Sequence, residues 1–142
     1  MPADFPRGLL DTDILILRSR IDPARLPDEL AISAITLAEL SAGVQLVRGD
    51  DAAARQERAR RLAVLQRVEH EFDPLPFDDD AARVFGRLSG AVLDAGRTPR
   101  RRVADLMIAA VAVAHRLPLV TTNPGDFAGL EGDLRIVEIA RP

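Results

Sequence analysis

The segment GLLDTDILIL, residues 8–17, decides the fold class of this chain. It begins with a short apolar run that is typical of a buried strand, and the run ends at Asp11. Ile14 and Leu17 follow at helical spacing, so a helix is predicted directly after the strand. A strand that passes at once into a helix is the first part of a β–α unit, and it leaves a carboxylate at the end of the strand.

The rest of the chain repeats this alternation of short apolar strands and longer helical patterns. Further strands are predicted at residues 30–33, 117–122 and 134–139, with a short edge strand at 75–77. Further helices are predicted over residues 36–47, 52–70, 78–95 and 103–116. Strands that alternate with helices require right-handed crossovers and form a mainly parallel sheet. We therefore predict an α/β fold, a three-layer α/β/α sandwich with a central sheet of about four to five strands.

The length of 142 residues predicts one domain over residues 1–142. Hydrophobic residues make up 47% of the chain, whereas disordered chains have a low content of hydrophobic residues, so we expect a folded protein. The chain contains no cysteine, which excludes disulfides and a thiolate zinc site. Residues 1–6 lack a basic region followed by a long apolar run, so no signal peptide is predicted. The longest nearly apolar run, residues 106–114, is too short to span a bilayer. We expect a cytoplasmic protein with no membrane segment.

The charged residues are unusual in kind. The net charge is −3, and all 19 basic residues are arginine. An acidic balance argues against a generally basic nucleic-acid binder, but the arginine fork binds phosphate bidentately and can hold RNA locally. GC-rich codon usage explains the missing lysine.

Four carboxylates stand in surroundings that do not suit them. Asp11 follows an apolar strand, and Asp126 follows the strand at 117–122 after a short turn. Glu39 is the only ionised residue between positions 34 and 47, and Asp105 is the only charged residue between 103 and 114. A buried carboxylate is costly unless it is paired, hydrogen-bonded or metal-bound. If the four converge beyond the carboxyl ends of the strands, they repel one another, and a divalent cation removes that penalty. All-oxygen ligands indicate Mg²⁺ or Mn²⁺.

Each of these acids also has a purely structural explanation. Glu39 could close a capping box with Thr36. Asp105 could stabilise a helix N-terminus through the helix dipole. Asp126 could cap a short helix, and Asp11 could begin an Asx turn.

Four segments, in this order, resemble the PIN-domain ribonucleases and specifically the VapC toxins. They are residues 10–15 (LDTDIL), 33–40 (SAITLAEL), 104–110 (ADLMIAA) and 119–127 (LVTTNPGDF). The resemblance implies a PIN-like fold and a catalytic metal site for Mg²⁺, with Mn²⁺ as an alternative. The implied catalytic and metal-binding residues are Asp11, Glu39, Asp105 and Asp126.

The same resemblance implies a set of supporting residues beside the metal site. These are Thr12, Asp13, Thr121 and Asn123, and we expect them to orient the carboxylates through hydrogen bonds. Asp13 stands where the family often has asparagine. Its role is left open between adding negative charge and supporting the turn.

By resemblance, the protein is a metal-dependent endoribonuclease and the toxin of a toxin–antitoxin pair. It would hydrolyse phosphodiester bonds in structured cellular RNA, such as tRNA or rRNA, and so inhibit translation. Its implied partners are the RNA substrate, a cognate antitoxin and a second copy of itself. A basic loop ahead of Asp105 could contact RNA phosphates; it contains Arg97, Arg100, Arg101 and Arg102.

Other charged groups are assigned no catalytic role. The helix at 52–70 is predicted to bury the stripe Leu62, Leu65, Val68 and Phe72. Its arginines are interpreted as a solvated face; they are Arg55, Arg58, Arg60 and Arg61. The cluster at 78–80, three aspartates, is explained by capping and the dipole of the helix it begins.

Two other function classes remain open. One is a non-catalytic PIN-like module that binds RNA or protein. The other is an aspartate-dependent phosphatase, suggested by Asp11 and Asp13 after the first strand. Such phosphatases typically place a lysine beside the acids, and this chain has none.

Overall fold

The computed structural model describes residues 5–142, and the side chains of all of these except Arg100 and Arg101. The strands within this range are β1 (Arg7–Leu10), β2 (Glu29–Ala31), β3 (Leu119–Thr121) and β4 (Ile136–Glu138). The α-helices are α1 (Thr12–Leu17), α2 (Ala34–Gln45), α3 (Ala52–Glu71), α4 (Asp79–Asp94) and α5 (Val103–Ala114). Short 3₁₀ helices lie in the connections, at Arg18–Arg20, Pro23–Arg25, Pro99–Arg102 and Pro124–Phe127. The signal-peptide prediction falls largely on residues 1–4, outside the described residues.

The strands form one parallel sheet in the order β2-β1-β3-β4. The chain moves from β1 to one side for β2, and then returns to the other side of β1 for β3 and β4. In open α/β sheets, ligand sites lie beyond the carboxyl ends of the strands at such a reversal. The expected position of a site is therefore the edge where β1 and β3 end.

Helices cover both faces of the sheet, because alternate residues of a strand point to opposite faces. Leu9 and Leu119 contribute to a core with α4 and α5. Leu10 and Val120 contribute to a second core with α1, α2 and α3. All four of these side chains are fully buried. The three-layer α/β/α prediction is confirmed, with four strands in the described part of the chain.

Two predictions about single elements are wrong in part. The edge strand at 75–77 reduces to one isolated bridge between Leu75 and Ser33. In α3, three of the four residues of the predicted buried stripe pack in the core, but Leu62 is 41% exposed and Val64 is buried in its place. No helix within residues 5–142 has the length and apolar character needed to cross a membrane.

Candidate active site

A single cavity of about 420 Å³ brings the four predicted carboxylates together. They come from separate parts of the fold: Asp11 caps α1 after β1, Glu39 lies in α2, Asp105 lies in the first turn of α5, and Asp126 lies in the 3₁₀ helix after β3. The cavity is at the edge where β1 and β3 end. The topology of the sheet therefore accounts for the convergence of residues that are distant in sequence.

Asp11 is the most buried of the four, with only 5% of its surface exposed. Its Oδ1 accepts a hydrogen bond of 2.9 Å from the backbone N–H of Thr12, and its Oδ2 accepts one of 2.8 Å from Thr121 Oγ1. The pKa of Asp11 is raised to about 6, chiefly by burial and to a smaller extent by the negative charges of Asp13 and Glu39, despite these two bonds. The carboxylate is thus firmly oriented but costly to ionise in the absence of a cation.

Glu39 is held by a row of hydroxyl groups. Thr12 Oγ1 donates a 2.7 Å hydrogen bond to Glu39 Oε1. Thr12 Oγ1 also lies 3.0 Å from Thr36 Oγ1, and Ser33 Oγ donates to Thr36 Oγ1 at 3.4 Å. Because the single proton of Thr12 is used by Glu39, Thr36 must donate to Thr12. Every hydroxyl in the row therefore points its proton toward Glu39.

The capping-box explanation of Glu39 is wrong, because α2 begins earlier than the sequence predicts. Ser33 is its N-cap and accepts a 3.1 Å hydrogen bond from the backbone N–H of Thr36. Thr36 is thus inside the helix, fully buried, and free to serve the hydroxyl row. Sequence reasoning did not place Ser33 or Thr36 in the site. The Ser-x-x-Thr pattern of residues 33–36 was the sequence signal that could have identified Ser33 as the N-cap of α2.

Asp105 is partly buried, and its pKa is raised to about 6. Burial is the largest cause, followed by the negative charges of Asp11, Asp126 and Glu39. Arg102 lowers the pKa but does not cancel these effects. The position in the first turn of α5 agrees with the helix-dipole explanation. Burial and the neighbouring carboxylates nevertheless oppose the ionisation of Asp105.

Arg102 points back toward the acids. Its guanidinium pairs with Asp126 and lies 3.7 Å from Asp105. It also lines a second cavity of about 380 Å³ together with Arg97 and Asp126. Arg100 and Arg101 are also predicted to contact RNA, but their side chains are not among those that the structure describes. Within the described part of the basic loop, Arg102 neutralises part of the acid cluster and Arg97 is exposed.

Asp13 both adds charge to the site and braces the turn after β3. It lines the main cavity and raises the pKa of Asp11. Its Oδ2 accepts a 2.6 Å hydrogen bond from Asn123 Nδ2. The backbone N–H of Asn123 donates to Thr121 Oγ1 at 3.0 Å. The four supporting residues expected from the sequence thus adjoin the cavity or bond to groups that line it.

The spacing of the cavity carboxylates indicates which kind of cation they could hold. Among the described residues, three carboxylate oxygens lie within 4.8 Å of one another only in the cluster Asp78–Asp80. The cavity carboxylates are spaced more widely. Mg²⁺ usually keeps several waters and binds one or two carboxylates directly. Four carboxylates around a space of about 420 Å³ therefore fit a hydrated Mg²⁺ or Mn²⁺ ion.

The Asp78–Asp80 cluster has a structural explanation, as expected. Asp78 is the N-cap of α4 and accepts from the backbone N–H of Ala81 at 3.0 Å. Arg83 pairs with Asp79 and Asp80 at 3.2 and 3.1 Å. All three aspartates are exposed.

The cavity wall formed by α3 differs in character from the acidic wall. It contributes Val64 and the arginines Arg60 and Arg61. The interpretation of these two arginines as a merely solvated face is incomplete, because they line the same cavity as the four acids. Val64, which the predicted stripe does not include, packs at this cavity and brings the preceding turn of α3 to its edge.

Comparison with known proteins agrees with this geometry. A family model described as PIN domain matches residues 9–132. Over 137 residues, 94% of each chain, the protein is 43% identical to Ribonuclease VapC5 of Mycobacterium tuberculosis. It is 33% identical over 138 residues to Ribonuclease VapC4 of the same organism, covering 94% of this chain and 97% of that one.

Solved structures give the same result. A crystal structure of VapBC-5, a member of the VapBC family of toxin–antitoxin systems from Mycobacterium tuberculosis, superposes with a TM-score of 0.77. The sequence identity is 39%, and the match covers 95% of this chain and 98% of that chain. The fold, the family model and the close relatives together show that this chain belongs to the VapC ribonucleases of the PIN-domain family.

Proposed function

We propose that the protein is a Mg²⁺-dependent endoribonuclease that acts as a toxin and cuts structured cellular RNA, such as tRNA or rRNA. The observation that carries this proposal is the convergence of Asp11, Glu39, Asp105 and Asp126 on one cavity. Two of them have pKa values of about 6 because burial and mutual repulsion oppose their ionisation. Such a site is incomplete until positive charge enters it.

The four carboxylates would hold the cation. When bound there, Mg²⁺ supplies a Lewis acid for a phosphate oxygen and lowers the pKa of a water molecule for attack on phosphorus. Thr121 and the backbone N–H of Thr12 fix both oxygens of Asp11, and each oxygen keeps a further lone pair for a ligand. Thr12 of the hydroxyl row holds one oxygen of Glu39, Oε1. Preorganised groups of this kind need little rearrangement during the reaction.

The ion pair between Arg102 and Asp126 favours a second candidate, the non-catalytic PIN-like binding module, because it neutralises part of the site. The raised pKa of Asp105 persists in spite of Arg102. The pair therefore does not cancel the combined effect of burial and like charge on Asp105, and the nuclease function is the better supported of the two.

The test is cleavage of total cellular RNA by the purified protein with Mg²⁺, with Mn²⁺ and with a chelator, followed by mapping of the new RNA 5′ ends. We expect discrete cuts with either cation and none with the chelator. The variant Asp11→Asn should cut nothing at the parental sites. Stable RNA binding without any cut, under all three conditions, supports the binding module instead.

We also propose that an antitoxin covers the cavity. Apolar residues Ile16, Leu40 and Val64 lie beside the acids in its lining. The solved relative from Mycobacterium tuberculosis is a toxin–antitoxin system. Expression of this chain should arrest growth, and co-expression of the adjacent antitoxin reading frame should restore it. Homodimer formation stays a prediction.

A further inference from the structure

We propose that Arg60, supported by Arg61 and Glu57, forms a subsite on α3 that binds a backbone phosphate of RNA beside the bond that is cut. This inference rests on the proposed ribonuclease function and names residues that take part in holding its substrate. It concerns the wall of the cavity formed by α3, which the catalytic proposal does not use.

The position of the subsite follows from the helical spacing of α3. Glu57, Arg60, Arg61 and Val64 are three or four residues apart, so they share one face of the helix. Val64 is buried and lines the cavity with both arginines. This face of α3 therefore borders the cavity. Arg55 and Arg60 are both exposed, but only Arg60 lines the cavity.

Glu57 holds the two guanidinium groups in place. It accepts from Arg60 Nε at 3.0 Å, from Arg60 Nη2 at 2.6 Å and from Arg61 Nε at 2.8 Å. Hydrogen bonds from Arg60 and Arg61 lower the pKa of Glu57 to about 2, so it is ionised at neutral pH. Two arginines and one glutamate leave a net charge of one positive unit on this wall.

Arg61 and Arg60 have different remaining capacity for a ligand. Arg61 Nη1 donates to the backbone carbonyl of Gly43 at 2.8 Å and so ties α3 to α2. Arg60 donates only to Glu57 among the described residues, and an arginine has five N–H donors. Several N–H groups of Arg60 are thus available at a cavity wall, and their fork matches phosphate oxygens.

The class of ligand follows from the two walls together. An isolated anion would be repelled by the four carboxylates that line the same cavity. A polymer with repeated phosphates can be held at the acids through the cation and at Arg60 through a neighbouring phosphate. This arrangement favours an RNA backbone over an acidic peptide, and it is independent of base sequence.

The test measures RNA binding apart from cleavage. Arg60→Gln and its matched control Arg55→Gln, on the same helix and with the same change of charge, are made in an Asp105→Asn background that should not cut. The probe is a fluorescein-labelled single-stranded oligoribonucleotide of mixed sequence, titrated with Mg²⁺ present at several salt concentrations. Fluorescence anisotropy gives the Kd and its salt dependence.

We expect Arg60→Gln to weaken binding about fivefold at low salt and to reduce the slope of log K against log salt by about 0.7, the value for one phosphate contact on a single strand. Arg60→Lys should recover part of the affinity, since it keeps the charge but loses the fork. Arg55→Gln should change the Kd by less than about twofold. Circular dichroism checks that every variant is folded.

Equal binding by the Arg60→Gln and Arg55→Gln variants would overturn the subsite. Loss of antitoxin binding by Arg60→Gln with unchanged RNA binding would also overturn it, and would assign this wall to the protein partner. If the parent protein binds the probe but never cuts RNA, the ribonuclease proposal fails. The comparison of Arg60 with Arg55 still decides the subsite in that case.

Discussion

The two walls of the central cavity stabilise their charges in opposite ways. On α3, Arg60 and Arg61 are both paired with Glu57 of the same helix. On the edge of the sheet, Asp11 and Asp105 have raised pKa values because burial and like charge oppose ionisation. Only Arg102 opposes that repulsion among the described residues around Asp105. The acidic wall is therefore the one that we propose an external cation stabilises.

Neutralising one acid should have the largest effect, since it acts on the wall that depends on the cation. We expect Asp105→Asn to reduce RNA cleavage by at least about 10³-fold, because the loss of several kcal/mol of transition-state stabilisation corresponds to that factor. The rate of appearance of cut RNA ends measures it. Asp79→Asn, in the exposed cluster at the start of α4, serves as the control and should cut at nearly the parental rate. A similar loss in both variants would contradict the assignment of the site.

Breaking the hydroxyl row should have a smaller effect. Thr12→Val removes the proton that holds Glu39 and leaves a similar volume, so we expect cleavage to fall about 10- to 100-fold, as for other groups that orient ligands. Thr12→Ser keeps the hydroxyl and should stay close to the parent. Cleavage rates at saturating Mg²⁺ and at limiting Mg²⁺ separate weaker cation binding from a slower reaction. If Thr12→Val cleaves RNA at the parental rate at limiting Mg²⁺, Glu39 does not need the hydrogen bond from Thr12.

Adding a cation should stabilise the fold in a pH-dependent way. At a Mg²⁺ concentration 100 times its Kd, linkage predicts about 2.7 kcal/mol of added stability, which raises Tm by about 8 °C. Both Asp11 and Asp105 titrate near pH 6 without metal, so protons compete with the cation below that pH. Thermal unfolding with and without Mg²⁺ should show the shift at pH 7.5 and little of it at pH 5. A shift of equal size at both pH values would place the cation elsewhere.

Removing the charge of Asp105 should also stabilise the metal-free fold. Its pKa rises from 3.8 in the unfolded chain to about 6 in the folded protein. The unfolded state therefore holds fewer protons between these values, and stability falls as pH rises through that window. We expect metal-free Asp105→Asn to be about 1–2 kcal/mol more stable than the parent above pH 6, and to lose this advantage near pH 4.

Chemical denaturation of the two proteins at several pH values measures this difference. Asp79→Asn is again the control, because Asp79 is exposed and pairs with Arg83. Its stability should differ little from that of the parent across the same range. A less stable Asp105→Asn at pH 7.5 would contradict a repulsive site.

The acidic wall could be predicted from the sequence and the arginine wall could not, for physical reasons. A lone carboxylate in an apolar helix such as α5 is energetically unfavourable when it is buried, so Asp105 stands out in the sequence. An arginine near glutamates on a charged helix such as α3 is ordinary for a solvent-exposed face, so Arg60 does not stand out in the sequence. The structure buries Val64 in place of Leu62, and Arg60, one turn before Val64, lines the cavity beside it.

Local hydrogen-bond partners were also beyond the reach of the sequence. The start of α2 depends on Ser33 as N-cap, and helix ends are the least certain part of such predictions. The pairing of Arg102 with Asp126 joins residues 24 positions apart, and loop conformation alone determines it. The parallel sheet between two helical layers, by contrast, could be predicted from the alternation of strands and helices.

The central claim is that the cavity carboxylates, and not the tighter cluster on α4, bind the cation. The direct measurement is a Mn²⁺ titration followed by electron paramagnetic resonance, comparing the parent, Asp11→Asn/Asp105→Asn and Asp79→Asn/Asp80→Asn. We predict that the first double variant loses the tight site, whereas the second binds Mn²⁺ like the parent. Retention of tight binding by Asp11→Asn/Asp105→Asn, with loss in Asp79→Asn/Asp80→Asn, would contradict the account.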